Sequence, residues 1–265
     1  MILRFDVALD GRSMSALADE IIIRDVIEEP EERDLYRRNR ANSPGQIVTG
    51  AVRRSLKVRV LYVIRTQDVQ RRAQILDMIS AWAQAGGALS VTYRPGIALQ
   101  TTLEEPPSLS SSLRWRQDLT LTFSAHEVPF WRSTSAKEHG LVTGEAVDGL
   151  YGYTGEIMCE STADSTPVSA RMRNASGMAM TRLYITVGDT RFSFESMSVD
   201  PGRYVVIAYD QHGTLSIKDD QGTQLMQYRT GASDDDLICK PGANAVSVSA
   251  DVPVIGTLSY HERYV

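Results

Sequence analysis

The sequence has 265 residues, 42% apolar and 23% charged, with a formal net charge of −5, a balance that excludes a disordered chain and permits one or two cores. Residues up to Ser135 carry 18 basic and 16 acidic groups, and the remainder carry 10 and 17, so the chain changes from +2 to −7 along its length. Neither part has the basic stripe with which a protein grips phosphates, which argues against sequence-specific nucleic-acid binding.

The chain opens on alternation. Leu3, Phe5, Val7 and Leu9 share one face of a strand that ends at an Asp10-Gly11 turn. Charges at Arg4 and Asp6 interrupt any signal-peptide core, no apolar run is long enough to span a membrane, and a soluble, cytoplasmically made protein is expected. Residues 24–46 are crowded with charge: Glu28, Glu29, Glu31 and Glu32 precede Arg33, Arg37, Arg38 and Arg40, with Pro30 and Pro44 inside. This reads as an exposed loop or protruding arm.

Alternation returns at Leu56, Val58, Val60, Tyr62 and Ile64. Between Thr66 and Gly86 the period lengthens, and Val69, Ala73, Leu76, Ile79 and Trp82/Ala83 mark one helical face, with Thr66 as N-cap. Gly86-Gly87 stops that helix. Leu89–Tyr93 and Ile97–Leu103 follow as strands, then a long one over Leu113–Ala125 and an aromatic stop at Val128-Pro129-Phe130-Trp131. We place a first domain at 1–133 and a Gly/Ser/Thr-rich connector at 134–155. The second domain, 156–265, is a series of short strands between turns such as Asp200-Pro201-Gly202, His212-Gly213 and Pro241-Gly242, with Leu225–Tyr228 among the strands. The fold class is mainly β: a sandwich-like first domain covered by one helix, then a jelly-roll sandwich.

No catalytic constellation emerges. His126, His139, His212 and His261 fall in no ligand spacing, and Gly11-Arg12-Ser13-Met14-Ser15 lacks the last glycine of a nucleophile elbow. Asp219-Asp220 and Asp234-Asp235-Asp236 have calcium-compatible chemistry but read as solvated turns, and Glu104-Glu105 as a loop. Cys159 and Cys239 are too few for a disulfide framework or a structural zinc. We therefore expect no enzyme, no cofactor and no metal. Trp82, Trp115 and Trp131 are patterned for burial, as are most tyrosines of the second domain, which weighs against a sugar platform.

Several local features occur in a telling order. Leu119-Thr120-Leu121-Thr122-Phe123-Ser124-Ala125 leads into Pro129-Phe130-Trp131, preceded by the Leu56 strand, the helix to Trp82 and the strand at Leu89. Near the end, Leu237 precedes Pro241-Gly242-Ala243-Asn244-Ala245-Val246, a reversal in which Gly242 and Asn244 both tolerate positive φ, and Leu258–Tyr264 closes the chain. In this order the features resemble the distal tail (Dit) family of siphophages. The sequence departs from the family in lacking a Gly-Asn turn within Cys159–Pro167 and in the ion-rich arm.

The resemblance implies a hexameric ring at the tail tip. The first domain would build the ring, and a galectin-like sandwich would radiate from it. Its partners would be further copies of itself, the tail tube protein, the baseplate hub and receptor-binding proteins. A glycan-binding sandwich of a virion or cell-surface protein is the alternative. The bipolar arm, with Glu28, Glu29 and Glu32 against Arg37, Arg38 and Arg40, is the candidate contact between neighbouring ring subunits.

Overall fold

Alternating residues of the first third build one antiparallel arrangement in the computed structural model, which describes residues 5–29, 33–39, 46–107 and 118–265. The chain divides into two units, Met1–Trp131 and Arg132–Val265. The strands of the first are β1 (Val7–Leu9), β2 (Arg12–Ser13), β3 (Ile21–Glu28), β4 (Arg33–Asn39), β5 (Gln46–Arg53), β6 (Leu56–Ile64), β7 (Gly87–Val91), β8 (Ile97–Glu105) and β9 (Leu119–Ala125). They run in the order β2-β1-β7-β8-β9-β6-β3, with β4 and β5 pairing apart as a ribbon. Asp10 and Gly11 have φ of 47° and 77°, the left-handed pair that a tight hairpin requires between β1 and β2. β8 hands its pairing over midway: Gly87↔Thr101 and Leu89↔Leu99 join it to β7, then Thr102↔Ser124 and Leu103↔Phe123 join it to β9.

Helix α1 (Val69–Gln84) starts two residues later than Thr66 implied. Asp68 is the N-cap, its carboxylate accepting from the backbone N–H of Gln70 and Arg71 at 2.9 and 3.2 Å. The buried face comprises Arg72, Ile75, Leu76, Ile79, Trp82 and Ala83, while Val69 and Ala73 face water. Arg72 takes an inward position by donating to the Thr66 carbonyl at 2.8 Å. Trp82 meets Phe123 edge-on at 6.1 Å and donates its indole N–H to the Arg12 carbonyl, tying the helix end to the sheet. Gly86 sits at φ 63°, and a Cβ there would lie 2.7 Å from the Thr101 carbonyl oxygen.

The chain continues through β10 (Trp131–Ser133) into β11 (Lys137–Val142), β12 (Ala146–Val147), β13 (Leu150–Cys159), β14 (Thr166–Asn174), β15 (Leu183–Val187), β16 (Thr190–Phe194), β17 (Tyr204–Tyr209), β18 (Leu215–Asp219), β19 (Ile238–Cys239), β20 (Gly242–Ala250), β21 (Val254–Tyr260) and β22 (Arg263–Tyr264). A six-stranded sheet runs β11-β21-β14-β17-β18 with β19 on β14, and a five-stranded sheet runs β12-β13-β20-β15-β16. Inward residues of both sheets, among them Val168, Met172 and Leu258 from one and Ile185, Phe192 and Val248 from the other, form one buried cluster. This is a β-sandwich.

Three elements differ from the sequence reading. Residues 134–155, expected as a connector, contain β11, β12 and the first part of β13; Gly140, Gly152 and Gly155 sit within strands, Gly149 is at the Asp148-Gly149 turn, and Gly144, in the short link to β12, donates its N–H to the Gly152 carbonyl. Leu225–Tyr228 is a short 3-10 turn at Met226–Tyr228, with Leu225 buried and Met226 exposed. The charged segment is no loop where described: β4 and β5 pair antiparallel from Arg33↔Arg53 to Asn39↔Gln46.

Asn244 also works differently from the expectation. Only Gly242 adopts positive φ, at 95°, whereas the Asn244 side chain lies buried and staples the reversal. It accepts from the Lys240 N–H at 2.9 Å and donates to the Lys240 and Gly242 carbonyls at 2.7 and 2.9 Å. Asn244→Ala is expected to cost about 1–3 kcal/mol by leaving these buried backbone groups unpaired; equilibrium urea unfolding measures it, and a loss below about 0.5 kcal/mol contradicts the staple.

Candidate functional site

The residues proposed for the arm contact separate into two groups. Glu28, at the end of β3, already has three partners within its own unit. Its Oε1 accepts from the Tyr93 hydroxyl at 2.9 Å and lies 3.2 Å from Nε of Arg94, and its Oε2 accepts from the Trp131 indole at 3.0 Å. The Arg94 guanidinium also stands over the Trp131 ring at 5.4 Å. Glu29 pairs with Arg59 at 2.5 Å. Arg37 is exposed on β4, as are its neighbours Asp34, Leu35 and Tyr36. Arg38 lies on the same strand opposite Ile47, and Glu32 and Arg40 fall outside the described residues. The described acids are thus engaged beside the sheet, while the ribbon presents a cation next to apolar Leu35, 43% exposed.

The Glu28 cluster had no sequence signal, because Glu28 lies 65 to 103 positions from its partners in the chain. Glu28→Ala would strip a buried indole N–H and a phenol of their acceptor, with an expected loss of about 1–3 kcal/mol and a change in tryptophan emission on the folded baseline. An unaltered emission spectrum and melting temperature would show the cluster to be dispensable.

The other titratable candidates are engaged structurally. His139 Nε2 lies 2.6 Å from the Tyr153 hydroxyl, and His261 Nδ1 donates to the Ser133 carbonyl at 2.8 Å. His212 is exposed in a turn, and His126 is exposed just past the end of β9. Asp219 accepts from the N–H groups of Gln221 and Thr223, Asp220 pairs with Arg203 at 2.7 Å, and Asp234 accepts from the Arg191 N–H. Glu104 pairs with Lys57, and Glu105 accepts from Thr122. Among the described residues, no three His, Cys, Asp or Glu side chains converge to hold a metal ion. Trp82 and Trp131 are buried, and Trp115 lies outside the described residues. Cys159 and Cys239 are buried free thiols, and burial together with the neighbouring Cys159 pushes the Cys239 thiol far up.

At the end of the sandwich the last residues alternate between two environments. Glu262 is buried, and burial alone would raise its pKa. The Lys137 ammonium at 2.7 Å, the Tyr264 hydroxyl at 2.6 Å and the Glu160 N–H at 3.0 Å outweigh this and hold the carboxyl below the usual glutamate range. Arg263, the next residue, lines a cleft of about 230 Å3 with Arg132, Ser169, Tyr209, Asp210 and Ser259. Burial, and then the neighbouring Arg132, bring Arg263 down to about 10, and burial also lowers Arg132.

Because the folded pKa of Glu262 is depressed, its contribution is full above the unfolded glutamate value and disappears as pH falls through the folded one. Melting temperature should therefore fall less on acidification from neutral pH for Glu262→Gln than for the parent chain. Parallel pH profiles would exclude this linkage.

No protein-family model matches the sequence, and no curated protein matches it. Solved structures do. The Dit protein (gp 19.1) of phage SPP1, described as a paradigm of the hub adsorption apparatus in phages that infect Gram-positive bacteria, matches with a TM-score of 0.75 at 12% identity, over 98% of this chain and 99% of that one. A chain of the phage P2 baseplate in its activated conformation with Ca matches with a TM-score of 0.50 at 8% identity, over 99% and 98%. The chain is Dit-like in fold, a mainly β architecture matched across both of its units.

Proposed function

We propose that this chain is a structural adaptor of a phage tail tip, a non-enzymatic subunit that forms a homo-hexameric ring joining the tail tube to the baseplate hub and its adsorption apparatus. The observation that carries this reading is the extent of the likeness to SPP1 Dit, which runs through 98% of this chain. A shared sandwich alone would say little about role, since such folds host many functions. A shared pairing of two different units in one order narrows the choice.

On this reading the first unit builds the ring, and the sandwich, carrying most of the negative charge and galectin-like in character, faces the peripheral baseplate parts and receptor-binding proteins. The protein would be made in the host cytoplasm and reside at the virion tail tip. The β4–β5 ribbon supplies the contact between neighbours. The described side chains of β4, Asp34 to Arg37, are all exposed, and a neighbouring subunit would cover them. Glu28, Glu29 and Glu32 would flank that contact, with Arg37, Arg38 and Arg40 facing them.

Mass photometry tests the assignment. Full-length chain and a fragment of residues 1–131 should both form rings of one stoichiometry, and a folded fragment that stays monomeric while the full chain assembles would move the ring-building role elsewhere. Replacing Arg37, Arg38 and Arg40 by Glu should weaken assembly and reduce its salt dependence without unfolding the monomer. Exposed ion pairs contribute only about 0–1 kcal/mol each, so the effect should come from repetition around the ring. Rings of unchanged stability would relieve the ribbon of this role.

A further inference from the structure

We propose that Cys159 and Cys239 are a latent cross-link, two thiols that a small peroxide closes into a disulfide between the two sheets of the sandwich. The bond lies within the second unit and needs no ring.

The pairing follows from where the chain changes sheets. β13 belongs to the five-stranded sheet and ends at Cys159, and the next strand, β14, begins at Thr166 in the six-stranded one. β19 lies on β14 and ends at Cys239, and after Lys240-Pro241 the chain enters β20 of the five-stranded sheet. Register ties the two crossings together: Thr166 opposes Cys239, and Gly242 opposes Cys159. Each cysteine therefore ends its strand at the same corner, one on either sheet. The middles of facing sheets lie about 10 Å apart, too far for a bond that needs its Cα atoms within about 7 Å. A corner where two chain segments cross between sheets is where that limit is met.

Hydrogen bonds place the sulfurs independently. The Cys159 thiol donates to Ser161 Oγ at 3.1 Å, the Thr166 hydroxyl donates to the same oxygen at 2.8 Å, and the Cys239 thiol donates to the Thr166 carbonyl at 3.5 Å. Both sulfurs thus rest on one short buried segment, and each stands within hydrogen-bonding reach of the other. Thiols are weak donors, so exchanging these bonds for one covalent bond costs little.

The step balances with one peroxide. One sulfur, as thiolate, attacks the O–O bond and becomes a sulfenic acid, and the leaving oxygen departs as water with that thiol's proton. The second sulfur attacks the sulfenic sulfur; the S–S bond forms, the S–O bond breaks, and the hydroxyl leaves as water with the second proton. Two electrons pass from the thiols to the peroxide. Both sulfurs are enclosed, so the first attack waits on local opening of the corner. The two-residue β19, held on β14 by the Thr166↔Cys239 and Pro167↔Ile238 pairs, is suited to such opening. The closed bond gathers β14 to β19 into one covalent loop, which restricts the unfolded chain.

Full-length chain freed of reductant is exposed to dilute hydrogen peroxide without denaturant, then unfolded, capped with N-ethylmaleimide and digested without reduction. Mass spectrometry should find the Cys159 and Cys239 peptides joined, with maleimide uptake falling from two per chain towards none. The melting temperature should rise by about 5–15 °C, and dithiothreitol should remove the rise, which separates it from methionine oxidation. Cys159→Ser should give neither the cross-link nor the rise. Oxidation of exposed Met178 serves as the dose control. Two thiols still fully cappable once Met178 is oxidised overturn the proposal, as do thiols carried separately to sulfinic acid or a cross-link formed between chains. A fall in melting temperature that dithiothreitol reverses also overturns it, because the bond would then distort the corner. These readings come from the wild-type chain and decide the matter even if the variant misfolds.

Discussion

Burial of every second side chain between two facing sheets is the constraint from which the second unit follows. Val168, Ala170 and Met172 on β14 oppose, across the core, residues such as Ile185 and Val248. Each full burial of a large aliphatic side chain contributes about 1.5–3 kcal/mol, and β geometry allows it only at alternate positions. The packing is close: Gly256 is the register partner of Met172, and a Cβ there would lie 2.3 Å from Met172 Sδ, so a larger residue would displace that buried side chain. The outward positions are released from core duty by the same rule, which is why Ser169 and Ser259 can leave a hollow on the outside of a densely packed sheet.

The same rule explains how a fold persists at 12% identity to SPP1 Dit. Inward positions require an apolar side chain of suitable volume, and many residues satisfy that. Turns are more demanding, yet even they admit alternatives, since Asn244 secures its reversal by side-chain hydrogen bonds where a positive φ was the simpler expectation.

Elements with one wet and one dry face were legible in the sequence. β6 was read from Leu56 to Ile64 as it occurs, whereas β9 is buried on both faces from Leu121 on, with Thr122 and Ser124 as enclosed as Leu121, Phe123 and Ala125. The helix was found, but its face was turned, because an arginine occupies a buried position at Arg72 by finding a backbone acceptor. The edge strand β12 and the described part of β4, Asp34 to Arg37, were missed for a common reason: strands exposed on both faces need no alternation. Glu28 read as a surface charge and is instead the shared acceptor of Tyr93 and Trp131, a role created by tertiary proximity. Arg132 and Arg263, 131 positions apart, line one cleft where the Ser133 N–H donates to the Glu262 carbonyl.

Burial of the two thiols has a practical consequence. Attack on disulfides, maleimides or peroxide proceeds through the thiolate, and Cys239 is both enclosed and held far from ionising, with Cys159 beside it engaged to the Ser161 hydroxyl at 3.1 Å. In the folded state the chain therefore behaves toward electrophiles as though it contained no cysteine. A single cysteine introduced at an exposed position such as Val147 would be the sole fast-reacting handle among the described residues, so dyes or spin labels can be attached there without first removing the native pair.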